Sequence, residues 1–271
     1  MRTTITILTI LIWTTSYGQF DKLKGTWISG CRDVMVINDT LNKYDNSNML
    51  CTSDKDEGMA FYLYGDTLSF QKQYYSSATN YEKLYVDRYD LIVMEQTDSS
   101  LTVRPSSKLS KKFFNNRKSL RFIKQEFNKD KSITFEKIIY HTTSCFGSCP
   151  TIDLEIDSNR NVYLKGQFYK GNSMFEIDSV SSGQFIGRLN ETLFTELIDI
   201  IQTCNMKTLV FPEIHGADGP VTTLIIYYNG QRKYLKSMFP PTIADKLIEF
   251  LYLVNTKVDL TRTDEKRTIE E

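Results

Sequence analysis

From residue 25 to residue 127 the apolar residues arrive in short runs, most of them closed by Gly, Asn, Asp or Ser, and that punctuation points to strands and turns. Residues 25–28 and 33–37 form the first two runs. Residues 59–64 then face 67–74 across Gly65-Asp66, a hairpin signal because Gly and Asp both tolerate positive φ. Residues 83–95, 101–104 and 120–127 complete a series of about seven strands with no convincing helix among them. The 16 Tyr and 16 Phe reinforce this reading, because aromatic side chains suit pleated, half-buried surfaces. The first half is therefore expected to fold as an antiparallel β barrel or sandwich.

Around Asn128-Lys129-Asp130-Lys131 the chain becomes charged and turn-like, and beyond it strands mix with helices. Residues 133–140, 151–156, 162–168 and 184–189 read as strands, the second and third joined at Asp157-Ser158-Asn159. Asn190 is placed as an N-cap, and Leu193, Leu197, Ile201 and Cys204 follow on one helical face. Residues 221–228 and 233–236 flank Asn229-Gly230, a strong hairpin signal. Pro240-Pro241 opens a last helix with Ile243, Leu247, Phe250, Leu251 and Val254 as its buried stripe. The second half is expected to be α+β, an antiparallel sheet covered by two helices. The expected division is a signal peptide at 1–18, a barrel-like domain at 19–128, the α+β domain at 129–256 and a charged, flexible tail at 257–271.

The leader reading rests on Arg2, an apolar run at 5–13 and the small residues Ser16 and Gly18, with cleavage expected after Gly18. No later stretch reaches about 18 apolar residues without charges, so the mature chain is expected to have no transmembrane segment and to be periplasmic or extracellular. With 33 basic and 33 acidic side chains, no net field favours nucleic acid. The local exception is the basic stretch 108–118, whose Phe113-Phe114 pair could stack on bases; a solvated loop is the preferred reading.

Two resemblances add to this. Gly25-Thr26-Trp27 resembles the Gly-x-Trp that opens lipocalin-like barrels. That resemblance implies carriage of an apolar ligand and an arginine from the last strand over the tryptophan, here Arg121. Cys145-Phe146-Gly147-Ser148-Cys149-Pro150, with Tyr163-Leu164-Lys165-Gly166, Asp218-Gly219-Pro220 and Asn229-Gly230, is similar to the bacterial domain-of-unknown-function family 6438 over about residues 131–255. The family implies an exported protein and assigns no activity.

The ten residues from His141 to Pro150 hold two of the five cysteines and one of the two histidines. In an oxidising compartment Cys145 and Cys149 are expected to form a disulfide, because three intervening residues centred on Gly147 can fold back within bonding range. Closing so short a loop contributes about 2 kcal/mol in the chain-entropy view, so its effect is chiefly local, fixing the path between two strands. The alternative is a zinc or copper site built from His141, Cys145, Cys149 and His215. Thiol-redox catalysis would need a helix N-terminus to lower the thiol pKa, and a strand follows instead. Cys31 and Cys51 are read as a second disulfide and Cys204 as a buried thiol.

No nucleophile elbow, phosphate loop, zincin motif or dinucleotide fingerprint occurs. Asp153 and Glu155 share a strand face but read as solvated, and Asp218 beside His215 reads as a turn residue. The expected function is a non-enzymatic binding or scaffold module of the cell envelope, with no catalytic residues and no cofactor. Phe146, Gly147 and Asp218 are its candidate binding loops, and its partner is an envelope protein or a small ligand. The alternatives are a metal-binding protein or metal-dependent enzyme at the Cys/His set, or apolar-ligand carriage by the barrel.

Overall fold

Alternation of large apolar and polar residues closes the first half of the chain into an eight-stranded antiparallel barrel. The computed structural model describes residues 21–38, 48–52, 55–171, 176–212, 216, 218–265 and 267–271. The expected leader and its cleavage after Gly18 lie outside the described residues. The chain divides into two compact units, Met1–Asn128 and Lys129–Glu271.

In the first unit β1 (Gly25–Ser29), β2 (Val34–Ile37), β3 (Asn48–Thr52), β4 (Lys55–Tyr64), β5 (Thr67–Tyr75), β6 (Leu84–Gln96), β7 (Ser100–Pro105) and β8 (Leu120–Lys124) run in sequence order, and β8 returns to pair with β1. Trp27, Met35, Leu50, Phe61, Phe70 and Phe122 are at most 1% exposed and belong to one cluster. Among the described residues these rings pack together inside the barrel, the place where a carrier barrel would hold an apolar ligand. A short helix, α1 (Lys108–Phe113), stands between β7 and β8 in place of the solvated loop expected there. Ser107 starts it by accepting from the Ser110 amide, and Phe113 and Phe114 insert into the core at 4% and 0% exposure. Those rings are therefore closed to nucleic-acid bases, and the lysines around them are the outer face of a helix.

The cation near Trp27 is Lys124, not Arg121. Lys124 is the cross-strand partner of Trp27, with its ammonium 5.8 Å from the ring centroid. Arg121 has the opposite parity to the inward-facing Leu120 and Phe122, so the pleat turns it outward. The expected Cys31–Cys51 disulfide is also absent. Cys31 is exposed in the turn between β1 and β2, while Cys51 lies on β3 opposite Val34 and packs with Val34 and Val36. One faces solvent and the other is held in an apolar patch, so their sulfurs do not meet.

The second unit is a seven-stranded antiparallel sheet in the order β14-β13-β9-β10-β11-β12-β15. Its strands are β9 (Phe135–Thr142), β10 (Thr151–Asp157), β11 (Asn161–Gln167), β12 (Gly183–Arg188), β13 (Thr222–Tyr228), β14 (Gln231–Ser237) and β15 (Leu260–Arg262). Helix α2 (Glu191–Thr203) begins where Asn190 Oδ1 accepts from the Leu193 amide at 2.9 Å. Helices α3 (Asp245–Tyr252) and α4 (Val254–Lys257) follow β14. Ile138, Tyr140, Leu154, Ile156, Leu224 and Ile226 line one sheet face at 0–1% exposure, and Leu197, Ile201, Leu247 and Phe250 supply the helical stripes. Among the described residues no helix is long and apolar enough to cross a membrane.

The charged tail expected at 257–271 is instead part of the fold. Leu260–Arg262 adds the edge strand β15 to β12, and Ile269 is buried at 9% exposure against Ile139, Tyr163 and Ile225 on the opposite sheet face. Charge density alone suggested fraying; the pairing with a strand more than 70 residues earlier supplies the backbone partners that local sequence cannot reveal.

Candidate functional site

Strands β9 and β10 are antiparallel neighbours, so the residues joining them must reverse direction at one end of the sheet. That connection is the cysteine loop. Cys145 and Cys149 are disulfide-bonded with their Cα atoms 5.5 Å apart, and the Gly147 amide donates to Cys145 O at 2.9 Å to close the bend. Thr142 Oγ1 donates to Pro150 O at 2.9 Å and accepts from the Ile152 amide at 3.1 Å, pinning both ends. Phe146, at the tip, is 83% exposed.

Strand β13 lies on the other side of β9, with Thr222 opposite Thr142, and this brings the loop before β13 alongside the cysteine loop. The Phe146 amide donates to Asp218 O at 3.2 Å, the Thr143 amide to Val221 O at 3.1 Å, and the Val221 amide to Thr143 Oγ1 at 2.9 Å. Phe146-Gly147 and the distant Asp218 are therefore brought side by side. His215 lies outside the described residues.

The metal reading loses its sulfurs to the disulfide, since a bonded sulfur is not the thiolate that zinc or copper binds. Nor is His141 open: its Nδ1 is 2.8 Å from Asp153 Oδ1 and its Nε2 is 2.7 Å from Glu270 O. Among the described residues no group of three or more His, Cys, Asp or Glu side chains is arranged to hold an ion. The redox reading meets β10 directly after Pro150, without a helix dipole to activate sulfur.

His141 belongs instead to a polar row on the sheet face away from the helices. Register places it opposite Asp153, which is opposite Lys165, whose ammonium is 3.5 Å from Asp153 Oδ2. Both ring nitrogens face oxygen acceptors, an arrangement that favours the doubly protonated imidazole. Burial pulls its pKa down, but the hydrogen bonds to Asp153 and Glu270 O and the nearby carboxylates outweigh that, leaving a net rise. The hydrogen bond from His141 holds the Asp153 carboxyl below its ordinary value. Asp153, Lys165, Thr151, Gln167, Ser182 and Gln184 border an open cleft of about 520 Å³. Glu155, expected to be solvated, is 7% exposed and accepts from Arg267 Nη2 at 2.5 Å. Sequence reasoning missed Arg267, Ile269 and Glu270; the one signal was an aliphatic residue inside a charged segment.

Residues 136–252 match the protein family described as a domain of unknown function, DUF6438. This match falls within the second unit. Its matched span includes the cysteine loop, the Asp218 loop and the polar row, and it ends at Tyr252, before β15 and the segment that follows. No curated protein and no solved structure matches the chain.

Proposed function

We propose that the chain is an exported, non-enzymatic binding or scaffold protein of the cell envelope, whose DUF6438 domain engages a partner protein through the surface made by Phe146 and the Asp218 loop. The observation that carries this reading is a large aromatic side chain held 83% exposed on a loop that is closed by a disulfide and bonded to its neighbour. Aromatic anchors on rigid supports lose little conformational freedom on binding, which is why they recur at the centres of interfaces. A disulfide also suits an oxidising compartment. A barrel whose described core is packed with aromatic and aliphatic side chains fits a supporting role.

The test places a photo-crosslinking residue at position 146 of the full chain in its native host, with Tyr81, 66% exposed on the barrel, as the control position. The expected result is a discrete adduct from position 146 alone, in the extracytoplasmic fraction, on a chain beginning at Gln19. Identical adducts from both positions, or a cytoplasmic chain with its leader intact, would overturn the reading.

A further inference from the structure

After Thr263, whose amide makes a last ladder bond to Gln184 O, the chain turns onto the sheet face away from the helices and runs across the strands. Tyr163 of β11 donates to Glu265 O at 3.5 Å, and Arg267 bonds Glu155 of β10 while standing 5.8 Å over the Tyr163 ring. Ile269 packs among Ile139 of β9, Ile225 of β13 and Tyr227. Glu270 then accepts from Tyr227 Oη at 2.6 Å and from Arg232 Nε of β14 at 2.8 Å, and its carbonyl faces His141 Nε2. The contacts are made mostly by side chains, as a bound peptide makes them, and the segment lies beyond the part of the chain that matches the family.

We propose that this sheet face is a peptide-docking groove for an extended partner segment in which a basic residue precedes an aliphatic residue and a carboxylate follows it, and that Glu265 and residues 267–271 are its resident, displaceable occupant. The groove is built for that chemistry. Glu155 takes the basic residue, Ile139, Ile225 and Tyr227 take the aliphatic one, Arg232 and Tyr227 take the carboxylate, and His141 holds the backbone carbonyl. A segment held by few backbone hydrogen bonds opens locally without unfolding the sheet, so a competitor can enter. The proposal uses a different surface from Phe146 and stands apart from the reading of that loop.

The experiment uses the full chain carrying Ile269→Asp, which removes the apolar anchor, and a fluorescent peptide of residues 263–271. Anisotropy is expected to show saturable binding to the variant, at least tenfold weaker binding to the unsubstituted chain because the tethered segment competes, and none with a peptide carrying the same Ile269→Asp change. No saturable binding to a variant with native circular dichroism overturns the proposal, as does equal binding to both chains. If the variant does not fold, a benzophenone-bearing peptide is added in excess to the unsubstituted chain. Adducts on the strands that line the groove, β9, β10, β11, β13 and β14, support it, and adducts on the helices, on the opposite sheet face or on the barrel refute it. An unsubstituted chain that runs as a dimer through exchanged C-terminal segments refutes the partner as occupant.

Discussion

Replacing Arg117 with Met isolates the ion pair that ties the end of the barrel together. Arg117 Nη1 and Nη2 donate to Asp33 Oδ2 and Oδ1 at 2.7 and 2.6 Å, and Arg117 Nε donates to Phe114 O at 3.0 Å. The two side chains are unequally placed: Asp33 is 2% exposed and Arg117 28%. Removing the guanidinium leaves a buried carboxylate with Ser29 Oγ as its remaining side-chain donor, at 2.5 Å. Stranding a buried charge in this way costs about 3–5 kcal/mol, whereas Asp33→Asn leaves a cation that can turn to water and should cost roughly 1–2 kcal/mol. For a unit of this size the first change corresponds to a fall in melting temperature on the order of 10–20 °C. Thermal unfolding followed by tryptophan emission reports on the barrel, because Trp27 is fully buried there. An Arg117→Met chain that melts within about 3 °C of the parent, or an Asp33→Asn chain that is the less stable of the two, would refute the asymmetry argument.

The hold on the C-terminal segment should depend on pH through His141, which faces Asp153 and Glu270 O with Lys165 and Glu271 nearby. Its folded pKa is raised, so its contribution is fully present below about pH 6.5 and is lost as pH rises through the folded value. Asp153, whose pKa is lowered, adds a contribution lost only as pH falls through that lowered value. Intrinsic-rate-corrected amide exchange at residues 267–271 is expected to show falling protection above about pH 6.5, and His141→Gln should flatten the profile; the same profile in both chains would count against the latch. Thiol titration should find Cys31 reactive in the native chain, with Cys51 and Cys204 joining after denaturation and Cys145 and Cys149 after reduction. Cys204 is shielded further because burial pushes its pKa up to about 12. Rapid native labelling of Cys51 or Cys204 would contradict the packing.

Much of the secondary structure is legible in local chemistry. Asn229-Gly230 forms the turn between β13 and β14, Asn190 caps α2, and alternation along β7 and β8 gives the barrel its inside and outside. The Cys145–Cys149 bond is equally local, since three residues and a glycine suffice to bring the sulfurs together. These features depend on neighbours a few positions away, and the sequence displays those neighbours directly.

What tertiary structure decided depends on partners that are distant in the chain. The loops of Phe146 and Asp218 meet because β9 lies between β10 and β13, an order that no turn signal encodes. Arg117 belongs to a basic run in the sequence and to a buried pair with Asp33 in the fold, 84 positions away. The last residues have the composition of a frayed end, yet Ile269 and Glu270 find a complementary apolar and cationic surface on strands 38 or more positions before them. Composition describes how a segment meets water; whether a surface exists to take it out of water is a property of the folded whole.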